Sequence, residues 1–261
     1  MKRFIKDLKK YKYYIKFATK SKIKNEVIDS YLGWIWIFLD PLLFMLIYAF
    51  ISVVVFGKTQ QYLAAFICIG LTIWKFFNGT IVSSVKIVPN NRDTVTKVYV
   101  PKFILLLIDC LENLFKLFVS FILVGVFMIF YQVDISWNIL YIIPIILVLF
   151  VITFGFSCLF MHFGVFVDDL NKIVPLGMRF VFYLSGIFYS ISERVPNPYC
   201  EMLLICNPIA CLIHEARNVL LYSTAPNILT LFVWLIIGLF LCFIGIKTIY
   251  KYENTYVKVM K

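Results

Sequence analysis

Residues 41–57, 117–133, 135–167 and 218–246 contain no Asp, Glu, Lys or Arg, and nothing else in the 261-residue chain constrains its fold as much. A bilayer core of roughly 30 Å takes about 20 apolar residues in helical form, and every backbone N–H and C=O inside it must be satisfied within the segment. The sequence therefore reads as an all-α integral membrane protein. A content of 62% hydrophobic and 18% aromatic residues, with a mean hydropathy of +0.91, excludes an ordinary soluble domain of this length.

Six spans are predicted, at about residues 34–56, 61–85, 104–131, 139–167, 173–190 and 227–250, forming a single membrane domain over 1–261. Lys75 interrupts the second span and Arg179 the fifth, so each needs a partner, a polar cavity or a route to the interface. Basic loops resist translocation, and the basic residues are unevenly divided. Ten Lys or Arg lie in the first 24 residues, four in the 86–102 loop, one in 168–172 and four from Lys247 onward, against three on the opposite side. Both termini are expected in the cytoplasm. The net charge of +11 is mostly explained by this topology, so it gives no reason to invoke a nucleic acid. Membrane lipids are the expected neighbours. The basic N-terminal region is too long for a cleavable signal, and the apolar stretch after it exceeds a typical signal core.

Residues 1–30 read as a cytoplasmic amphipathic segment. Phe4, Leu8, Tyr11 and Ile15 recur at helical spacing, with Lys6, Lys9, Lys10, Lys12 and Lys16 around much of the remaining circumference. The pattern fits an interfacial helix that serves either as a gate or docking element beside the first span, or as an anchor on anionic lipid.

Catalytic motifs fail on inspection. Gly57-Lys58-Thr59 resembles the end of a phosphate-binding loop, but Ser52 stands where its first glycine belongs. His214-Glu215 begins a zinc-protease pattern, but Asn218 replaces the second histidine. With only His162 and His214 in the chain, no catalytic or metal site is expected. Cys200, Cys206 and Cys211 fall in one predicted external segment, which leaves a single disulfide open without fixing its pairing.

Asp40, Lys75, Asp109, Glu112, Lys116 and Arg179 are the charges in or near the spans. Asp109, Glu112 and Lys116 share one face of the third helix, and Glu112 to Lys116 is a favourable i, i+4 pair. An ion pair or a proton relay would use the same residues. Tyr31, Trp34, Trp36, Phe38 and Tyr48 crowd the first span, and Phe180, Phe182, Tyr183, Phe188 and Tyr189 the fifth. They fit an interfacial belt or an aromatic conduit in which ring faces stack on sugars and let them slide. Residues 191–226 carry Pro196, Pro198, Pro208 and Pro226, so two short helices forming a re-entrant external pair are expected before the last span.

The order of these motifs resembles the membrane subunit of ABC-2 type exporters of polysaccharides and teichoic acids, the O-antigen, capsule and wall-polymer permeases. The resemblance runs through Tyr31-Leu32-Gly33-Trp34-Ile35-Trp36 and Asp40-Pro41-Leu42-Leu43, then Gly70, Trp74, Phe76 and Phe77. It continues with Lys97-Val98-Tyr99-Val100-Pro101-Lys102, Asp169-Leu170, Ser185 to Tyr189, Asn207-Pro208 and Arg217. Asp168 stands where that family's turn usually has Arg, and Gly186 where proline is common.

The resemblance implies a homodimer in a bacterial cell membrane, served by two copies of a separate cytoplasmic ATPase subunit that binds ATP and Mg; this chain itself would carry no cofactor. A lipid-linked polysaccharide or teichoic acid would pass Tyr31, Trp34, Trp36, Phe38, Tyr48, Tyr183, Phe188 and Tyr189. Loop 86–102, with Asn90, Asn91, Arg92, Asp93 and Lys97, would couple to the ATPase, or it is an ordinary solvated loop. Asn207, Pro208 and Arg217 would form an external gate in the 191–226 cap. Two competing readings use the same chain, an ion-coupled flippase working through Asp40, Asp109, Glu112 or Arg179, and a membrane-embedded transferase acting on lipid-linked sugars.

Overall fold

The computed structural model describes residues 2–28, 33, 35–55, 57, 60–134 and 136–259, and every regular element among them is helical. In chain order these are α1 (Lys2–Lys10), α2 (Lys12–Ile28), α3 (Ile35–Phe50, extended by a π-helical turn Ile51–Val55), α4 (Leu63–Asn90), α5 (Arg92–Lys97) and α6 (Lys102–Phe130). A 3₁₀ turn, Trp137–Tyr141, leads into α7 (Ile142–Phe166), followed by α8 (Leu170–Leu184), α9 (Ile191–Arg194), α10 (Tyr199–Cys206), α11 (Pro208–Leu220) and α12 (Ile228–Val259).

Among the described residues, five helical segments are long and apolar enough to cross a membrane: Ile35–Val54, Leu63–Asn90, Lys102–Phe130, Trp137–Phe166 and Ile228–Tyr256. They occupy the first four predicted spans and the sixth. The place of the fifth is taken by α8, whose 15 residues span about 22 Å and whose helix stops at Leu184 rather than at 190. The cause is local: Ser185 leaves helical geometry and Gly186 takes φ of 62°, a left-handed conformation that glycine adopts at little cost. The proline-punctuated stretch forms a helix pair, α10 and α11, bent by 99°.

α4 is the spine. Every residue from Ala64 to Trp74 is buried, because α3, α6, α7, α8 and α11 surround the helix. A helix enclosed on all sides must be largely apolar on all sides, and before Lys75 α4 carries no charge and a single hydroxyl, that of the buried Thr72. α7 and α12 pack along much of their length. Gly155 allows the close approach, since a Cβ there would lie 2.8 Å from the Cβ of Leu241. Close backbone approach across small residues is how membrane helices gain packing when lipid removes the hydrophobic drive between them.

The amphipathic N-terminal segment is two helices, and its predicted apolar face meets protein rather than lipid. Ile15 is buried, and Phe4, Leu8 and Tyr11 pack with it against Val95, Val100, Phe103, Ile104 and Tyr256. The Phe4 and Phe103 rings lie 4.9 Å apart. Periodicity identifies an apolar face but not what it meets. All seven cysteines are free thiols, and Cys200, Cys206 and Cys211 form no bridge.

Candidate functional site

Aromatic side chains converge between α3 and the end of α8. Tyr48 stacks on Phe188 at 5.1 Å with the rings 2° from parallel, and Phe182 stands 5.9 Å from Tyr48 and 5.4 Å from Trp74. Tyr183 and Tyr189 flank Phe188 at 6.2 and 5.5 Å, both edge-on. The Tyr189 hydroxyl donates to the Tyr183 carbonyl at 2.9 Å, which fixes the turn after α8. Beside this wall lies a cavity of about 590 Å³ lined by Phe44, Tyr48, Trp74, Asn78, Arg179 and Tyr183, among others. Arg179 is exposed on this side, so the cavity joins a ring wall to one cation.

Four of the predicted pathway residues, Tyr48, Tyr183, Phe188 and Tyr189, thus come together. Trp36 does not join them. At 100° per residue, twelve residues place Trp36 about 120° around α3 from Tyr48, and Trp36 lines a different cavity of about 310 Å³ with Asp40, Thr72, Lys75 and Lys116. Phe38 is half-buried on the same early part of α3. Tyr31 and Trp34 lie outside the described residues, as do Lys58 and Thr59 of the rejected phosphate-loop motif. Phe182, one of the fifth-span aromatics that fit a conduit, also belongs to the wall, and so do Phe44 and Trp74, which the sequence does not assign to the pathway. Phe44 carries the one signal that could have found it, its i, i+4 spacing to Tyr48.

The cavity lined by Trp36 is walled by ion pairs. Lys75 on α4 pairs with Asp40 on α3. Lys116 on α6 bridges Glu112 at 2.9 Å and Glu26 at 2.7 Å, and Lys22 reaches both Asp109 and Glu112, the latter at 2.6 Å. The Ser83 hydroxyl donates to Asp109, so the network ties α2 and α4 to α6. Burial pulls the Lys22 ammonium downward, but Asp109 and Glu112 outweigh it and hold its pKa above the ordinary lysine value.

Loop 86–102 is half helix. Val95 turns into the core while Asn90, Arg92, Asp93 and Lys97 are exposed and Asn91 is half-buried, its amide donating to the Ile87 carbonyl at 2.7 Å. The result is a short helix held by one apolar side chain and presenting polar groups outward. The extended stretch after it is tied to both ends of the chain. Tyr99 receives a hydrogen bond from Arg3 at 2.7 Å and donates to Glu253 at 3.1 Å, and Arg3 pairs with Glu253 at 3.1 Å.

At the opposite end of α4, Arg217 is 4% exposed and has backbone oxygens as its partners. Its guanidinium donates to the carbonyls of Gly186 at 2.7 Å, Ile187 at 2.6 Å and Phe66 at 3.1 Å, with its centre 3.4 Å from the Phe66 ring centroid. Asn207 accepts from the N–H groups of Ile209 and Ala210, capping α11, and donates to Ser185 at 3.0 Å. Pro208 occupies the first turn of α11, where its missing N–H costs nothing. Asn207, Pro208 and Arg217 therefore fasten the bent pair to the start of α4 and the turn after α8.

Comparison with known proteins gives one family and a consistent set of relatives. The family described as ABC-2 type transporter matches residues 13–221. An O-antigen export system permease protein of Klebsiella pneumoniae is 26% identical over 243 residues, 93% of each chain. One of Myxococcus xanthus is 23% identical over 227 residues, 87% of each chain.

Proposed function

The chain belongs to the ABC-2 type transporter family, and we propose on that premise that it is the permease subunit of an exporter of lipid-linked polysaccharide or teichoic acid. It would work as a homodimer in the bacterial cell (inner or plasma) membrane with both termini in the cytoplasm. A cytoplasmic ATPase subunit on each copy would bind ATP and Mg, dock on the polar face of α5, and move the polymer outward. The relatives' O-antigen permease descriptions support the glycan class.

The observation that carries the reading is the ring wall Tyr48–Phe188–Phe182–Trp74 beside its cavity. Ring faces offer apolar area to the C–H faces of sugars without charge or deep hydrogen bonding, which suits a sliding polymer better than a tightly bound small solute. An ion-coupled flippase finds less support, since Asp40, Asp109 and Glu112 are each engaged by a lysine.

The test has two arms. Purification of the chain from its native membrane should recover a near-stoichiometric ATPase whose hydrolysis depends on its phosphate-binding lysine. In the same complex, the double change Tyr48→Ala, Phe188→Ala should cut polymer export at least severalfold while leaving ATPase association intact. Normal export by the double variant would remove the ring wall from the pathway, and a preparation without ATPase that still moved lipid-linked sugar would overturn the exporter reading.

A further inference from the structure

α2 and α6 enclose a groove of about 800 Å³ that the exporter reading does not use. Along α2, Lys12, Lys16, Lys20 and Lys24 follow at successive i, i+4 positions and form one rim. Ile15, Thr19 and Ile23 form a parallel row three residues on, and Leu111 and Phe115 of α6 close the apolar floor. None of the four lysines is in an ion pair among the described residues. Lys22, on another face of the same helix, holds Asp109 and Glu112 and so fixes α2 to α6.

A ladder of like charges at i, i+4 repels along the helix, and an anion facing it would relieve that repulsion. Between the ladder and the floor, Thr19 Oγ1 is buried with no hydrogen-bond partner. The floor specifies the rest of the ligand: it is carbon-lined and continuous with a helix long and apolar enough to cross the membrane.

We propose that this groove is a binding site for an anionic phospholipid, its acyl chain on the floor formed by Ile23, Leu111 and Phe115 and its phosphate on the lysine ladder. A second copy of the chain is a poorer occupant, since 14 Asp and Glu against 25 Lys and Arg leave it little acid to offer. The site is independent of the transported substrate and would favour lipids carrying a net negative headgroup over zwitterionic ones.

The experiment uses the full chain with its co-purifying partners, reconstituted in bilayers of phosphatidylcholine and phosphatidylglycerol in equal parts. Native mass spectrometry after gentle extraction counts the lipids retained. The parent protein should retain phosphatidylglycerol in preference to phosphatidylcholine. Each Lys→Gln change in the ladder should lower that preference by about fivefold at most, and the combined K12Q, K16Q, K20Q and K24Q variant should abolish it. Leu111→Trp, which fills the floor and leaves every charge in place, should also release the lipid. The double K16Q, K20Q variant carries the test if the fourfold one does not assemble.

Unchanged phosphatidylglycerol retention in the lysine variants would overturn the proposal. Retention lost with the lysines but unaffected by Leu111→Trp would overturn the groove and leave only diffuse surface attraction. Displacement of phosphatidylglycerol by an equal amount of a polyprenyl diphosphate would assign the groove to a different lipid.

Discussion

Along α4 the protein accommodates cations in two ways. Near its start, Arg217 is enclosed by three main-chain carbonyls from α4 and from the turn after α8. Midway and further along, Lys75, Lys22 and Lys116 are met by carboxylates from neighbouring helices. A carbonyl is part of the backbone that folds around it, so Arg217 cannot change partners without breaking a turn. A carboxylate sits on a rotatable side chain, and Glu112 already serves two lysines at once. One end of the spine is therefore fastened to the backbone, while the other is held by contacts that helices can exchange as they shift.

The largest expected effect tests the fastened end. Arg217→Ala strands the carbonyls of Gly186 and Ile187 in a buried site, takes the second donor from that of Phe66, and should cost about 3 kcal/mol or more, seen as a lowered melting temperature or loss of monodisperse protein. Arg217→Lys keeps the charge but cannot span three carbonyls, and should fall between. Wild-type melting in Arg217→Ala would end the contrast between the two regions.

The exchangeable end should answer more mildly. Lys22→Met leaves Asp109 and Glu112 buried without their shared cation, although Ser83 and Lys116 remain, and about 2 kcal/mol is expected, with α2 released toward proteolysis. Because the Lys22 pKa is raised, its contribution is fully present below the ordinary lysine value and is lost only as pH climbs through the raised one. Melting measured through the neutral range should therefore show no loss from this pair. A destabilisation of Lys22→Met as large as that of Arg217→Ala would mean that both ends are fastened alike.

The contrast was only partly legible in the sequence. The spans follow from charge-free length, and Asp109, Glu112 and Lys116 follow from helical spacing, which is local. Lys22 and Glu26 were not recognised as their partners because they lie 87 and 90 residues away along the chain, and no periodicity connects them. Tyr48 and Phe188 were both identified as aromatics of interest, yet only tertiary packing stacks them, and the same packing leaves Trp36 around the helix. Arg217 was placed in the external gate only through the family resemblance, and acceptors made of backbone have no side-chain signature, so its role in fastening could not be read. The end of α8 was misplaced by six residues because the apolar run continues through a turn that Ser185 and Gly186 impose.

An intermediate test asks whether side-chain pairs really are exchangeable. Lys75→Met should cost about 1 kcal/mol by leaving Asp40 without its cation, and exchanging the two residues, Asp40→Lys with Lys75→Asp, should restore most of it. No equivalent exchange exists for Arg217, whose acceptors are not side chains. Failure of the swap to recover stability would show that the Asp40–Lys75 site depends on geometry as strictly as the carbonyl site does.

The smallest effect is the most discriminating for the network as a whole. Glu26 is half-exposed and shares Lys116 with the buried Glu112. Glu26→Gln removes one of two anions from a lysine that keeps the better-enclosed one, so the cost should stay within about 0.5 kcal/mol. The change should nevertheless loosen α2, because Glu26 holds its far end to α6 as Lys22 holds its middle. Hydrogen exchange along residues 12–28 should quicken toward the C-terminal turn of α2 while global melting stays in place. A drop in melting comparable to that of Lys22→Met would mean that the network behaves as one rigid unit, and the difference between the two ends of α4 would then reduce to the chemistry of their acceptors.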